Sequence, residues 1–133
     1  MAKSTLFFEN TEKKHLKPDL LSDYAKKCLN EFVKTNQKNL SQTQLRKFYN
    51  DILSIKHKID VKADKEEAFK KELPYIKMLK AKVAYAKHRK HATDEFEHFI
   101  NTHINEIKDI DDFYAFCDLF QAIIAYSPSK LKK

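Results

Sequence analysis

The sequence predicts an all-α protein, a compact bundle of about five helices, and three observations carry that prediction. No glycine occurs among the 133 residues, so the left-handed positions that tight hairpin turns require have no cheap occupant, and an all-β fold is disfavoured. Apolar residues recur at spacings of three and four along most of the chain. Ten Phe and six Tyr, in a composition 42% hydrophobic and 34% charged, supply the large side chains of a real interior and set the chain apart from a disordered one. The length has room for one domain with one core. The absent glycines exclude functions too. Gly-rich phosphate loops, dinucleotide fingerprints, nucleophile elbows and EF-hand loops each need a backbone position that only Gly takes cheaply.

Residues 1–18 read as a lead-in, in which Leu6-Phe7-Phe8 is a short apolar spot, either flexible or pinned onto a neighbour. A single helical domain is expected over residues 19–126, followed by a basic tail over 127–133. The first helix is predicted from about Asp19 to Lys34, with Tyr24, Cys28, Leu29, Phe32 and Val33 on one face. The second starts after Ser41, which can cap the free amides with Gln44 completing a capping box. Its inward stripe is Leu45, Phe48, Tyr49, Ile52, Ile55 and Ile59. A third helix runs from about Lys65 to Lys90. Pro74 inside it predicts a kink or a new start, with Leu73 ending one segment. Ile76, Leu79, Val83 and Ala86 form its buried stripe, and Ala81, Ala84 and Ala86 predict close approach of a neighbouring helix. Thr93 or Asp94 caps a fourth helix to about Lys108, with Phe96, Phe99, Ile100, Ile104 and Ile107 inward. Asp111 is expected to cap a fifth, from Asp112 to Tyr126. That helix is apolar nearly all round, as a central core or interface helix is.

Charge is unevenly distributed. Residues 1–90 hold 22 Lys and Arg against 11 acids, whereas residues 91–126 hold one Lys against eight acids. Such polarity suits a molecule that meets nucleic acid on one side. Targeting and redox signals are quiet. The first residues lack the apolar run of a signal peptide, and no stretch approaches membrane-spanning length. Cys28 and Cys117 have no CxxC partner and read as buried small hydrophobes in a reducing compartment. The expected location is cytoplasmic, with no membrane contact.

The chemistry-bearing residues divide sharply. His88 and His91, with Glu95 and His98 nearby, span a helix end and a loop and lack the fixed i, i+4 pair that zinc on a helix favours, so no metal site is expected. Neither Cys has a His at helical spacing, and the acids from Asp109 to Asp112 read as a cap and first turn. No catalytic residue, cofactor or small-molecule substrate is expected. The basic residues are more informative. Lys77, Lys80, Lys82, Lys87, Arg89 and Lys90 lie together with no acid between them and Tyr85 interleaved. On a helix, Lys77, Lys80 and Lys87 share one side, where each could bind a phosphate and release its counterion. Arg46 and Arg89 are the only arginines, and each suits a planar bidentate contact to phosphate or a structural ion pair with the acidic third. Arg46, Lys47, Lys77, Lys80, Lys82, Lys87, Arg89 and Lys90 are the expected nucleic-acid-binding set.

Three segments then fall into a known pattern: Leu40-Ser41-Gln42-Thr43-Gln44-Leu45-Arg46-Lys47-Phe48-Tyr49, Leu79-Lys80-Ala81-Lys82-Val83-Ala84-Tyr85-Ala86-Lys87-His88-Arg89, and Ala122-Ile123-Ile124-Ala125-Tyr126. Together they resemble the Csm small subunit of type III-A CRISPR interference complexes, over about residues 20–126. The resemblance implies a non-catalytic helical subunit that stacks in several copies as an inner filament. It implies as partners the backbone and large subunits, guide (CRISPR) RNA and its paired target RNA, with the Arg46 helix and the Lys80–Arg89 segment facing the RNA. Contact by shape and phosphate would suit a subunit that must accept any guide. Two other readings of the residues stand beside it: a free-standing helical RNA- or DNA-binding protein, and a helical scaffold or adaptor without nucleic-acid binding.

Overall fold

The computed structural model describes residues 5–13 and 15–133. Six α-helices occur among them: α1 Asp23–Phe32, α2 Gln42–Asp60, α3 Lys65–Lys77, α4 Leu79–His88, α5 Asp94–Asn105 and α6 Ile110–Tyr126, with 3₁₀ turns at Gln37–Asn39 and Ser127–Ser129. Only Met78 separates α3 from α4, so the two form one bent rod and the bundle has the expected five. The described residues contain no strand, only an isolated antiparallel bridge between Phe8 and Leu16.

Helix starts follow their caps. Ser41 Oγ accepts the Gln44 N–H at 3.2 Å, Asp64 accepts that of Glu67 at 3.0 Å, and Thr93 accepts that of Phe96 at 3.1 Å. These satisfy amides that the helix itself leaves orphaned. Thr93 is the cap at α5, and its hydroxyl also donates to the Phe32 carbonyl at 2.8 Å, tying α5 to the end of α1. At α6 the cap is Asp109, not Asp111, because Asp109 Oδ1 takes the Asp112 N–H at 3.0 Å and the helix begins two residues earlier than expected. Residues 18–22 are a turn, not helix, and α1 begins at Asp23.

Pro74 sits within α3, and Leu73 ends no segment. The proline cannot donate to Lys70, but Lys70 is exposed and its carbonyl can take water, so the helix tolerates the loss. The break comes a turn later, at Met78, whose N–H still donates to Pro74 at 2.9 Å. The inward stripe of Ile76, Leu79 and Val83 crosses the break without interruption. Ala81 and Ala84 face solvent instead of a neighbouring helix.

Without glycine, the left-handed turns fall to Lys13, Asn36 and Lys90, at φ 59°, 48° and 62°. Lys90 closes α4: its N–H donates to Lys87 at 2.9 Å and the His91 N–H to Ala86 at 2.8 Å, a Schellman pair of bonds built on a lysine.

The core is aromatic. Phe32 meets Phe96 and Phe99 edge-on at 4.9 Å, and Phe48 meets Phe96 at 5.1 Å. As its all-round apolarity predicts, α6 lies centrally against α1, α2 and α3. The interior extends past residues 19–126 at both ends. Phe7 and Phe8 are buried within it, and so is Leu131. The Lys13 ammonium meets Asp109 and the buried Asp112, which pins the early loop over the start of α6. Both thiols are free and buried. Burial pushes Cys28 up to about 11 and raises Cys117 also, which leaves both as inert thiols.

Candidate nucleic-acid interface

The expected cations come from two elements. Arg46 and Lys47 stand exposed on the second turn of α2 because Leu45 and Phe48 hold the inward positions beside them. The rest follow α3–α4: Lys77 ends α3, Lys80, Lys82 and Lys87 lie on α4, Arg89 is its C-cap and Lys90 the residue beyond. No Asp or Glu occurs from residue 73 to residue 93.

Neighbouring helices divide this set. On one flank of α4, Lys82 Nζ reaches Asp51 of α2 at 3.4 Å. On the other, Lys87 Nζ meets Glu97 at 2.8 Å and Asp94 at 3.1 Å on α5. Glu97 first, then Asp94, raises the Lys87 ammonium above its ordinary range. Lys80 bonds the Asn105 side chain at the far end of α5. Lys80 and Lys87 therefore lie along the α4–α5 seam and are not a free stripe with Lys77. Lys77 makes no ion pair among the described residues. Burial, then the charges of Lys80 and Lys108, holds its ammonium below the usual lysine range, as crowding of like charge must. Lys108, the one lysine of the acidic third, thus joins the cationic end of this face, although nothing in its neighbouring residues hinted at it.

Arg89 forms no ion pair with the acidic third among the described residues. Its guanidinium lies 5.6 Å from the centroid of the Tyr85 ring and donates to the Tyr85 hydroxyl at 3.0 Å. The stack holds the guanidinium at the surface with most of its five donors unspent. Tyr85 itself is 63% exposed, and Tyr75 and Met78 are also open on the same bent rod. Exposed aromatic and cationic side chains of this kind can stack on bases and hold phosphates.

The histidines are dispersed. Among the described residues no group of three His, Cys, Asp or Glu converges to hold a metal. The Glu95 carboxylate accepts from Thr35 at 2.8 and 2.9 Å. His103 is internal. Its Nδ1 donates to the Phe99 carbonyl at 2.8 Å, so Nε2 must accept from the Tyr24 hydroxyl, 2.7 Å away. Burial pulls its pKa down to about 4, and the ring is neutral at pH 7. No helix among the described residues is long and apolar enough to cross a membrane.

One comparison decides the family. The model of the family Csm2 Type III-A matches residues 15–130 of the chain. The chain is a Csm2 family member. That family is the small subunit of the type III-A Csm complex of CRISPR systems. No curated protein and no solved structure matches the chain. The Csm2 match begins three residues before Pro18, so it takes in part of the lead-in as well as all six helices.

Proposed function

We propose that this Csm2 family member is a non-catalytic, cytoplasmic subunit that stacks in several copies beside the backbone subunits and holds guide RNA and target RNA by their phosphates, without reading sequence. One observation carries the proposal: the exposed side of α3–α4 offers Lys77, Arg89 and Lys90, free of acidic partners among the described residues, in a stretch with no acid of its own. Arg46 and Lys47 extend it onto α2, which Lys82 joins to α4 through Asp51. The paired lysines remain available for such a role. Exposed ion pairs contribute only about 0–1 kcal/mol, so Lys82 and Lys87 can exchange a carboxylate for a phosphate at little cost.

The test is target-RNA binding by a reconstituted Csm complex carrying neutral replacements at Arg46, Lys80, Lys82, Lys87 and Arg89. The complex should assemble, and affinity should fall alike for unrelated sequences. The salt slope of log affinity should drop by roughly 0.7–0.9 for each phosphate that the variant no longer neutralises. Within the set, Arg46 and Arg89 should account for more of the weakening than Lys82 and Lys87, whose charges are already partly spent. A charge-reversed variant that assembles normally and protects target RNA like the parent would show that this face does not meet RNA.

A further inference from the structure

The last residues of the chain are strapped down rather than trailing. Gln42 donates from its backbone to the Lys132 carbonyl at 2.7 Å and from its side chain to the Leu131 carbonyl at 2.8 Å. Gln37 donates to the Lys130 carbonyl at 2.9 Å. Leu131 is buried at 4% exposure and anchors the segment from below. All of these bonds use main-chain oxygens of the tail, which leaves its lysine side chains unspent.

The strap places those lysines in two hollows on either side of it. Lys132 lines one of about 410 Å³ with Lys38 and the Ser41 region. Lys133 lines the other, about 360 Å³, with Arg46, Lys47, Thr43 and Asn50. No acidic side chain lines either hollow. By contrast, the groove between α1 and α5 is rimmed by Glu31, Asp94 and Glu95, and the hollow between α2 and α3 by Asp64, Glu67 and Glu72. Five cations therefore gather around the tail with hydroxyl and amide donors between them, and no carboxylate side chain opposes them. Strongly hydrated ammonium groups gathered this way favour a polyanion, with the Arg46 fork able to take two phosphate oxygens at once.

We infer that the strapped C-terminal tail and the start of α2 form a second phosphate-binding surface, which takes phosphodiester groups of the RNA strand and brings Lys38, Lys132 and Lys133 to bear on it. This rests on the RNA-binding function proposed above. Arg46 belongs to both surfaces. Its neighbour Lys47, which lines the same hollow, lies four residues, or about 6 Å of helix, before the Asp51 that meets α4 and on the same side of α2, so one strand can run from the tail along α2 to α4.

The experiment is a salt titration of the full chain binding a labelled single-stranded RNA of mixed sequence. Lys132→Gln/Lys133→Gln should leave the melting temperature unchanged, because the strap uses main-chain oxygens, and should lower the salt slope by roughly 1.4, about 0.7 for each phosphate. Lys70→Gln/Lys71→Gln removes equal charge from α3 and should lower it less. Leu131→Ser, which frees the tail with its charges intact, should match the tail double variant if placement matters. The inference is overturned if the tail and α3 pairs behave alike, or if Leu131→Ser binds like the parent while remaining folded. If Lys77→Gln/Arg89→Gln weakens binding and the tail pair does not, the tail inference fails alone. A parent chain with no salt-dependent RNA binding overturns both.

Discussion

The two ends of the charge asymmetry are built differently. Nine of the seventeen residues of α6 are buried, against two of ten in α4, so about half of α6 is interior while α4 is mostly surface. In α6 the side chains are fixed by what they pack against, and substitution acts on the fold. In α4 only Leu79 and Val83 are buried, and Ala81, Tyr85 and, at its C-cap, Arg89 can change without disturbing the core. A helix kept at the surface on two buried anchors, with no acid in its length, has its exposed face left over for binding. The acids of the C-terminal third are spent largely within the molecule: Asp109 on a cap, Asp112 on Lys13, Asp94 and Glu97 on Lys87.

The comparison is broken most directly at the core. Phe120 is fully buried, stacked on Tyr49 at 6.1 Å and edge-on to Phe96 and Phe116. Phe120→Ala should cost about 3–5 kcal/mol and Ile123→Ala about 2–5 kcal/mol, through reduced burial plus a cavity. Tyr85→Ala on α4 should stay within about 0.5 kcal/mol. Urea unfolding of the three variants checks the contrast. If the α6 variants kept the parent midpoint and failed only in assembly, α6 would be an interface and the assignment of roles would be reversed.

A second effect separates the regions by pH. His103 is depressed to about 4 from an ordinary 6.5 because its site excludes water. The unfolded chain therefore takes up a proton that the folded chain refuses, and stability falls as pH drops from about 6.5 to about 4, where the decline levels off. The total is about 3 kcal/mol. Chemical denaturation across that range should show the decline in the parent and a flatter profile in His103→Gln, whose amide can still accept from Tyr24. An equal decline in both would place the acid sensitivity elsewhere.

Much of this was legible in the chain. The stripes of α2 and α5 are inward where spacing put them, and Leu45, Phe48, Ile52, Phe96, Phe99 and Ile104 are all buried. What periodicity could not reach was packing without a helical period. Phe7 and Phe8 enter the core through a single bridge to Leu16, and Leu131 through the bond from Gln42 to its carbonyl and that from Gln37 to the carbonyl of Lys130 before it. The cap of α6 was misplaced because Asp109 and Asp111 are chemically equal, and backbone geometry alone selects between them. The site was legible as a cluster and not as individual roles. Whether a lysine is paired depends on which acids the fold brings alongside, and Asp51, Asp94 and Glu97 sit on other helices.

The smallest expected effect falls at Lys90, where the two regions meet. Its left-handed backbone, φ 62°, is one a side chain with Cβ occupies at a cost that Gly avoids. The Schellman bonds to Lys87 and Ala86 demand that conformation regardless of the residue placed there. Lys90→Gly should therefore stabilise the fold by about 0.5–1 kcal/mol, net of the larger entropy of the glycine chain when unfolded. The same change removes a cation from the α4 end and should lower the salt slope of RNA binding by roughly 0.7. Lys90→Asn completes the test, since Asn tolerates the left-handed region and also lacks the charge. Both variants should bind more weakly while folding at least as well as the parent. A gain in stability with unchanged binding would confine Lys90 to the turn, and a drop in stability would mean that its side chain, not its backbone, holds the end of α4.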